Sequence, residues 1–368
     1  MWDSLPTGVW VLFGVLAFVL VLVGLGYWGL QHGLRKYPLR CYPDETYVIQ
    51  TSDGWSLPLF RWHPNPEAPK QATPVVLCHG LGVNHLNMDL DDDLSLARYL
   101  RDLGWECWVA SLRSGYDDSI ASPEGQHRQD FCLDHLVDCD VAAVLTKVRE
   151  ETSASEVHWV GHSMGGMVVL LGDPALLTIR SLVAVASPSR LKRSEYPQHH
   201  LAFLTHLLRT VPTRWFTRLA APLAPWLGWM FRRMVRMSAV DRVLMRRLCY
   251  YMFADVSTRL VRQLATIVKK DALCNEEGAP IYEERLRSHS FPAFFMVGAS
   301  DGVVSPDNAS YAHDHWSGPK QWKLLDEEGG FEPYGHGDIL VGRSSPREVF
   351  PLIHEWLAQQ ETDDLSKS

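Results

Sequence analysis

Cysteine is scarce and unpatterned in this chain: seven residues, an odd number, are scattered through 368 positions with no CxxC spacing. That excludes a disulfide-stapled scaffold and a cysteine zinc site, and the thiols read as small buried hydrophobes of a reduced protein. Positive charge is not in excess either. With 35 Lys and Arg against 43 Asp and Glu, the formal net charge is -8, which leaves no global footprint for nucleic acid. The sequence also lacks internal repeats and low-complexity tracts, so solenoid and disordered classes fall away. What remains is ordinary globular composition, 46% hydrophobic and 21% charged, able to bury the core of one large domain or two modest ones.

Charge is missing altogether from Val9 to Leu30. A helix of that length rises about 33 Å, enough to cross a bilayer core. Trp2, Trp10, Tyr27 and Trp28 stand near its ends, where aromatic rings favour the membrane interface. The leading flank carries Asp3 and no Lys or Arg, unlike a cleaved signal peptide, so residues 1–36 are expected to be a retained transmembrane anchor. Arg35, Lys36 and Arg40 follow the span, which places the remainder on the cytoplasmic side of a single-pass protein. The sequon Asn308-Ala309-Ser310 points the other way, but it matters only in a secretory lumen. Gly24 to Gly29 fits GxGxxG, yet it lies inside the apolar run with no strand before it and cannot cradle a pyrophosphate.

Beyond the anchor the pattern is α/β. Residues 45–62 hold two β-rich runs joined through Asp53-Gly54, a hairpin signal. Short apolar runs at 73–80, 105–111, 157–163, 181–187, 293–300 and 321–328 suit parallel strands covered on both faces. Helical periodicity lies between them at 89–103 and 131–150, and a last helix is expected over 346–359. The expected fold is a doubly wound, mostly parallel sheet, with core segments 44–189 and 291–360. Residues 190–290 break the rhythm and read as a helical cap without strands. Its stretch 191–270 carries fifteen Lys and Arg against three acids, beside many Trp and Met. That surface suits an anionic membrane face, and equally a basic solvated exterior.

Gly161-His162-Ser163-Met164-Gly165 follows the apolar run Val157–Val160 and precedes a helical stretch. This is GxSxG in the strand–turn–helix setting that lifts a nucleophilic hydroxyl above a sheet edge. An oxyanion formed there needs preorganised N–H donors. They are expected from Met164, which follows the nucleophile, and from Leu81 in the loop His79-Gly80-Leu81-Gly82. The acid and then the histidine must follow in the chain. Asp301 opens a loop at a strand end, whereas its rivals Asp307 and Asp314 fall in or near a helix. His336 sits in the glycine-flanked loop PYGHGD, whereas His313 and His315 read as helix-surface residues and His354 as part of the last helix. Asp338 reads as a local hydrogen-bonding residue. Asp89, Asp91, Asp92 and Asp93 read as the acidic start of a helix rather than a calcium loop, since no EF-hand spacing follows. No metal and no cofactor are expected.

His79-Gly80-Leu81, the run SLARYLRDLGWECWVASLRSG at 95–115, Asp134, Asp140-Val141, GHSMG, GASD and YGHGDILVG carry a resemblance. From about residue 44 to 360 the chain resembles the α/β-hydrolase superfamily, most closely its acid-lipase branch of ester hydrolases. The resemblance implies Ser163 as nucleophile, Asp301 as acid, His336 as base, and Leu81 and Met164 as oxyanion donors. Two positions depart from the branch: Ser114 stands where Gly is usual, and Gly337 where Leu is usual. The cap shows little similarity. The expected function is hydrolysis of carboxylic esters of lipid-like substrates through an acyl-enzyme, with membrane lipids and a small-molecule or lipid ester as partners. An acyltransferase, a thioesterase and a non-catalytic interaction module on the same scaffold stay open as alternatives.

Overall fold

The apolar runs pair into one eight-stranded sheet. A computed structural model describes residues 24, 27–39, 42–115, 119–196 and 208–365. Its strands are β1 (Glu45–Gln50), β2 (Ser56–Trp62), β3 (Val75–Cys78), β4 (Cys107–Ala110), β5 (Val157–His162) and β6 (Ile179–Val185). After β7 (Thr210–Val211) and β8 (Val256–Ser257), which pair only with each other, come β9 (Ala293–Gly298) and β10 (Lys320–Leu325). The order across the large sheet is β1-β2-β4-β3-β5-β6-β9-β10. β1 and β2 form the antiparallel hairpin at one edge, and from β4 to β10 every pairing is parallel.

Near-continuous apolarity in the strands follows from burial on both faces. Every residue of β3, β4, β5 and β9 is buried. Side chains alternate along a strand, so Val75 and Leu77 join one core while Val76 and Cys78 join the other. The first core is covered by α2 (Leu96–Asp102) and the C-terminal helix. The second is covered by α3 (Leu133–His135), α4 (Val141–Thr152) and α5 (Met164–Leu170).

Residues 27–36 form a helix, α1, ahead of the sheet. Between β6 and β9 the chain builds α6 (Thr213–Ala220), α7 (Gly228–Phe231), α8 (Arg242–Arg247), α9 (Thr258–Lys270) and α10 (Ile281–Ser288). This insert contains the β7–β8 pair, so the expectation of no strand in it is corrected. Two residues per strand carry too little pattern to register in sequence. The remaining helices are α11 (Pro306–His315), α12 (Asp338–Val341), α13 (Ser345–Glu348) and α14 (Phe350–Leu365).

Three helix boundaries differ from expectation. The segment 89–103 is helical only from Leu96, because Ser95 accepts the Arg98 N–H as N-cap. The acids before it meet side-chain donors instead of a helix dipole. Asp89 accepts from Trp62 Nε1 at 2.9 Å and Ser95 Oγ at 2.7 Å, and Asp91 pairs with Arg247 at 2.6 Å. The segment 131–150 is interrupted by a wide π turn at Leu136–Asp140. The last helix is divided at Val349, and Pro351 in the first turn of α14 has no N–H to continue the preceding helix. The expected anchor over residues 1–36 falls largely outside the described residues, and among the described residues no helix is long and apolar enough to cross a membrane. Asn308 of the sequon is wholly buried and donates to Glu195 at 2.8 Å, so a glycan does not fit there in the folded protein.

Asp140, the last residue of the π turn, pairs with Arg113. Its fully buried guanidinium donates to Asp140 Oδ1 at 2.7 Å and to both Asp53 oxygens at 2.5 and 2.8 Å, tying the β4 loop, the helical layer and the β1–β2 hairpin together. A buried charge stripped of one partner is costly. Asp140→Ala is expected to lower unfolding free energy by about 3–5 kcal/mol, measured by urea titration.

Candidate active site

Ser163 occupies the turn between β5 and α5 at φ 53° and ψ −118°, a strained conformation for a residue with a side chain. The neighbouring glycines make the turn possible. A Cβ at Gly161 would stand 2.3 Å from the Gly165 backbone, and one at Gly165 would stand 2.3 Å from the Cys78 carbonyl. The turn is held from both sides, by Ser163 N–H donating to Val185 O at 2.8 Å and by Gly166 and Met167 N–H donating to Ser163 O at 3.1 Å.

The sheet then delivers the partners. Asp301 follows β9 and His336 follows β10, so all three side chains come from the carboxyl ends of parallel strands. His336 Nε2 lies 3.0 Å from Ser163 Oγ, and its Nδ1 lies 2.8 Å from Asp301 Oδ2. The other Asp301 oxygen accepts the Val303 and Val304 N–H groups, each at 2.8 Å. A carboxylate only accepts, so Nδ1 carries the proton and Nε2 is the base facing the hydroxyl. A hydroxyl placed against an oriented imidazole is the arrangement that makes a serine nucleophilic.

The β3 loop closes over the same point. A Cβ at Gly80 would stand 3.1 Å from Ser163 Cβ, so glycine lets the Gly80-Leu81 backbone approach. Leu81 lines the cavity above Ser163 together with Val83, Phe231, Met234, Met245 and Phe253. Met164 opens α5, and the leading N–H groups of a helix have no acceptor within it.

The rivals lie elsewhere. Asp307 pairs with Lys192 at 2.9 Å, and His313 pairs with Asp314 at 3.1 Å. His315 contacts Tyr311 O at 2.8 Å, and His354 accepts from Trp105 Nε1 at 3.0 Å. Asp338 holds the histidine loop by accepting the Gly335 and Arg236 N–H groups at 3.0 Å each. The departure at Gly337 acquires a reason. Its N–H donates to Met234 O at 2.6 Å, and a Cβ there would stand 3.3 Å from Val235 Cγ2, so glycine lets the insert press against this loop.

One support escaped the sequence reading. His162 Nε2 donates to the His336 carbonyl at 2.9 Å, and its Nδ1 stands 2.8 Å from the Asn87 amide oxygen, which also meets Gly80 N–H at 3.4 Å. His162 was visible inside GHSMG. Asn87 ends a short 3-10 turn, His85–Asn87, and nothing in the local sequence marks it.

A model of the alpha/beta hydrolase fold family matches residues 73–342. The chain belongs to the α/β-hydrolase fold family. It is 27% identical over 181 residues to gastric triacylglycerol lipase of Mus musculus, covering 46% of each protein. With lipase member K of Homo sapiens it shares 26% identity over 238 residues, 61% of this chain and 54% of that one. The chain thus spans about half the length of the curated relatives it matches. Among solved structures, an esterase from Thermogutta terrifontis superposes with a TM-score of 0.56 at 16% identity, over 86% of this chain and 99% of that one. At that identity the likeness speaks for the fold alone.

Two imidazoles beside the hydrolase-fold triad are kept neutral. Burial, reinforced by neighbouring His336, lowers His162 to about 3, and burial lowers His79 to about 4. Unfolded, each takes up a proton near pH 6.5, whereas the folded protein resists until far lower pH. Their contribution to stability is therefore complete above about pH 6.5 and is lost as pH falls through about 4 for His79 and about 3 for His162. His162→Gln is expected to flatten the decline in urea midpoint between pH 6.5 and 4.5 relative to the parent protein.

Proposed function

We propose that this chain is a serine hydrolase of the esterase/lipase type that cleaves carboxylic esters of lipid-like substrates. The observation that carries the reading is the unbroken hydrogen-bonded relay Ser163–His336–Asp301, with 3.0 and 2.8 Å links, at the floor of an apolar cavity. In the proposed reaction, His336 Nε2 takes the hydroxyl proton as Ser163 Oγ attacks the ester carbonyl carbon. The resulting oxyanion faces the Leu81 and Met164 N–H groups, and Asp301 stabilises the imidazolium. His336 then passes the proton to the departing alkoxide, leaving an acyl-enzyme. Water, deprotonated by the same nitrogen, attacks the acyl carbon, and return of that proton to Ser163 releases the carboxylic acid and regenerates the hydroxyl.

Three methionines, Met234, Met245 and Met252, line the cavity with Phe231 and Phe253, and this soft apolar wall supports an acyl chain as the part of the substrate it receives. The same reading includes a retained N-terminal anchor with the hydrolase on the cytoplasmic face. It is supported by the uncharged run from Val9 to Leu30 and by the cations Arg35, Lys36 and Arg40 after it.

Ser163→Ala is expected to abolish labelling by a fluorophosphonate probe and turnover of p-nitrophenyl esters. Undiminished labelling of that variant would remove the mechanism. Asp301→Asn is expected to lower kcat by roughly a thousandfold or more, with a smaller effect on KM, because it disturbs the tautomer of His336 rather than substrate binding. Comparable kcat values for the variant and the parent would assign the acid to another residue.

A further inference from the structure

We propose that the outer face of the insert, built on α6, α7 and the turn between them, docks on an anionic lipid bilayer and sets the cavity beside the membrane. This deepens the reading of an anchored ester hydrolase and rests on it for the route of the substrate and for the bilayer beside the N-terminal helix.

The face is apolar where a soluble surface is polar. Trp215, Trp226 and Trp229 are 59, 62 and 68% exposed, with Phe216, Leu223 and Met230 exposed among them. On a monomer a contiguous patch of this kind marks an interaction site. Indole rings, apolar with one polar edge, suit the interface between headgroups and acyl chains.

Charge identifies the occupant. Between residues 208 and 252 there are nine arginines, of which Arg236 and Arg247 pair with Glu332 and Asp91, no lysine and a single acid, Asp241. That carboxylate is already engaged, accepting the Val243 and Leu244 N–H groups at 2.7 Å each and pairing with Arg343. Arg242 and Arg246 stand 6.0 and 5.6 Å from the Trp226 ring centroid, so cations and indole share one surface. Such a surface complements anionic headgroups.

Continuity with the N-terminal segment supplies a second, independent reason. The apolar run of the sequence reaches Leu30, inside α1, and α1 is packed on this insert. Gly33 is buried so closely that a Cβ would stand 2.0 Å from Tyr250 Oη, and Tyr251 Oη donates to Leu34 O at 2.9 Å. Arg246 lies over the Tyr37 ring at 5.7 Å as well as over Trp226, bridging the base of the apolar run to the patch. The described end of that run, α1, therefore lies against the insert that carries this face. The short helix α7 completes the path, since Trp229 and Met230 point outward while the next residue, Phe231, lines the cavity over Ser163.

The test uses the full-length protein in phosphatidylcholine nanodiscs with or without about 30% phosphatidylglycerol, read by amide hydrogen exchange over residues 213–231. Exchange there is expected to be at least about fivefold slower in the anionic discs, with the difference lost at high salt. It is also expected to be lost in a Trp215→Ser, Trp226→Ser, Trp229→Ser variant whose circular dichroism matches the parent. Equal exchange in the two lipids would overturn the proposal. Protection that instead rises with protein concentration and ignores the lipid would assign the face to a second copy, and would overturn it too. Ser163→Ala should dock like the parent, so absence of ester hydrolysis and absence of docking are read separately.

Discussion

Everything at the site depends on one backbone constraint: Ser163 must hold a positive φ at the junction of a buried strand and a helix. Such a conformation costs about 1–3 kcal/mol and persists only where the surroundings over-determine it. Here they do. Close approach of Gly161 to Gly165, and of Gly165 to the Cys78 carbonyl, leaves no volume for side chains, while the Val185 carbonyl captures the Ser163 N–H. The GxSxG pattern is thus a statement about packing before it is one about chemistry. Relaxing the turn would carry Ser163 Oγ away from His336 and withdraw the α5 N-terminus from the place where an oxyanion forms.

Hydrogen-bond partners then decide which imidazole faces the nucleophile. Three histidines crowd the carboxyl ends of β3, β5 and β10, and all three are buried. His79 is held between the Gly80 carbonyl at 2.8 Å and the Leu112 N–H at 3.1 Å, and His162 between the Asn87 amide and the His336 carbonyl. Burial makes both resist protonation, and each meets a backbone carbonyl through one ring nitrogen, so they position backbone. Only His336 faces Ser163 through an acceptor nitrogen while a carboxylate holds its other nitrogen. The division of labour among chemically identical side chains comes from their partners.

Strand-forming runs were legible in the sequence because parallel strands buried on both faces are apolar throughout, and GHSMG was legible because the elbow demands glycine. The order acid then histidine directed attention to Asp301 and His336 among several rivals, and the structure brings these two to Ser163. What stayed hidden has a common physical cause. Asn87 lies 75 residues from His162 and meets it only through the fold. The π turn at Leu136–Asp140 ends on the partner of a buried cation, Arg113, and the helical periodicity of that segment registers neither. Acids 89–93 mimic a helix start, and only the cap at Ser95 reveals that they precede one.

The insert is coupled to the chemistry as well as to the surface. Met234 O accepts from Gly337, Arg236 N–H donates to Asp338, and Phe231 lies in the cavity wall, so a single stretch of the insert grips the loop that carries His336. The same stretch follows directly on exposed Trp229 and Met230. The outer face and the backbone on either side of the base are therefore joined by a few residues of continuous chain. Glycine at 337 makes this grip close, since a larger residue would hold Val235 away. Of the two positions at which the sequence departs from the acid-lipase branch, Gly337 is thus the one where the insert, itself unlike that branch, must fit.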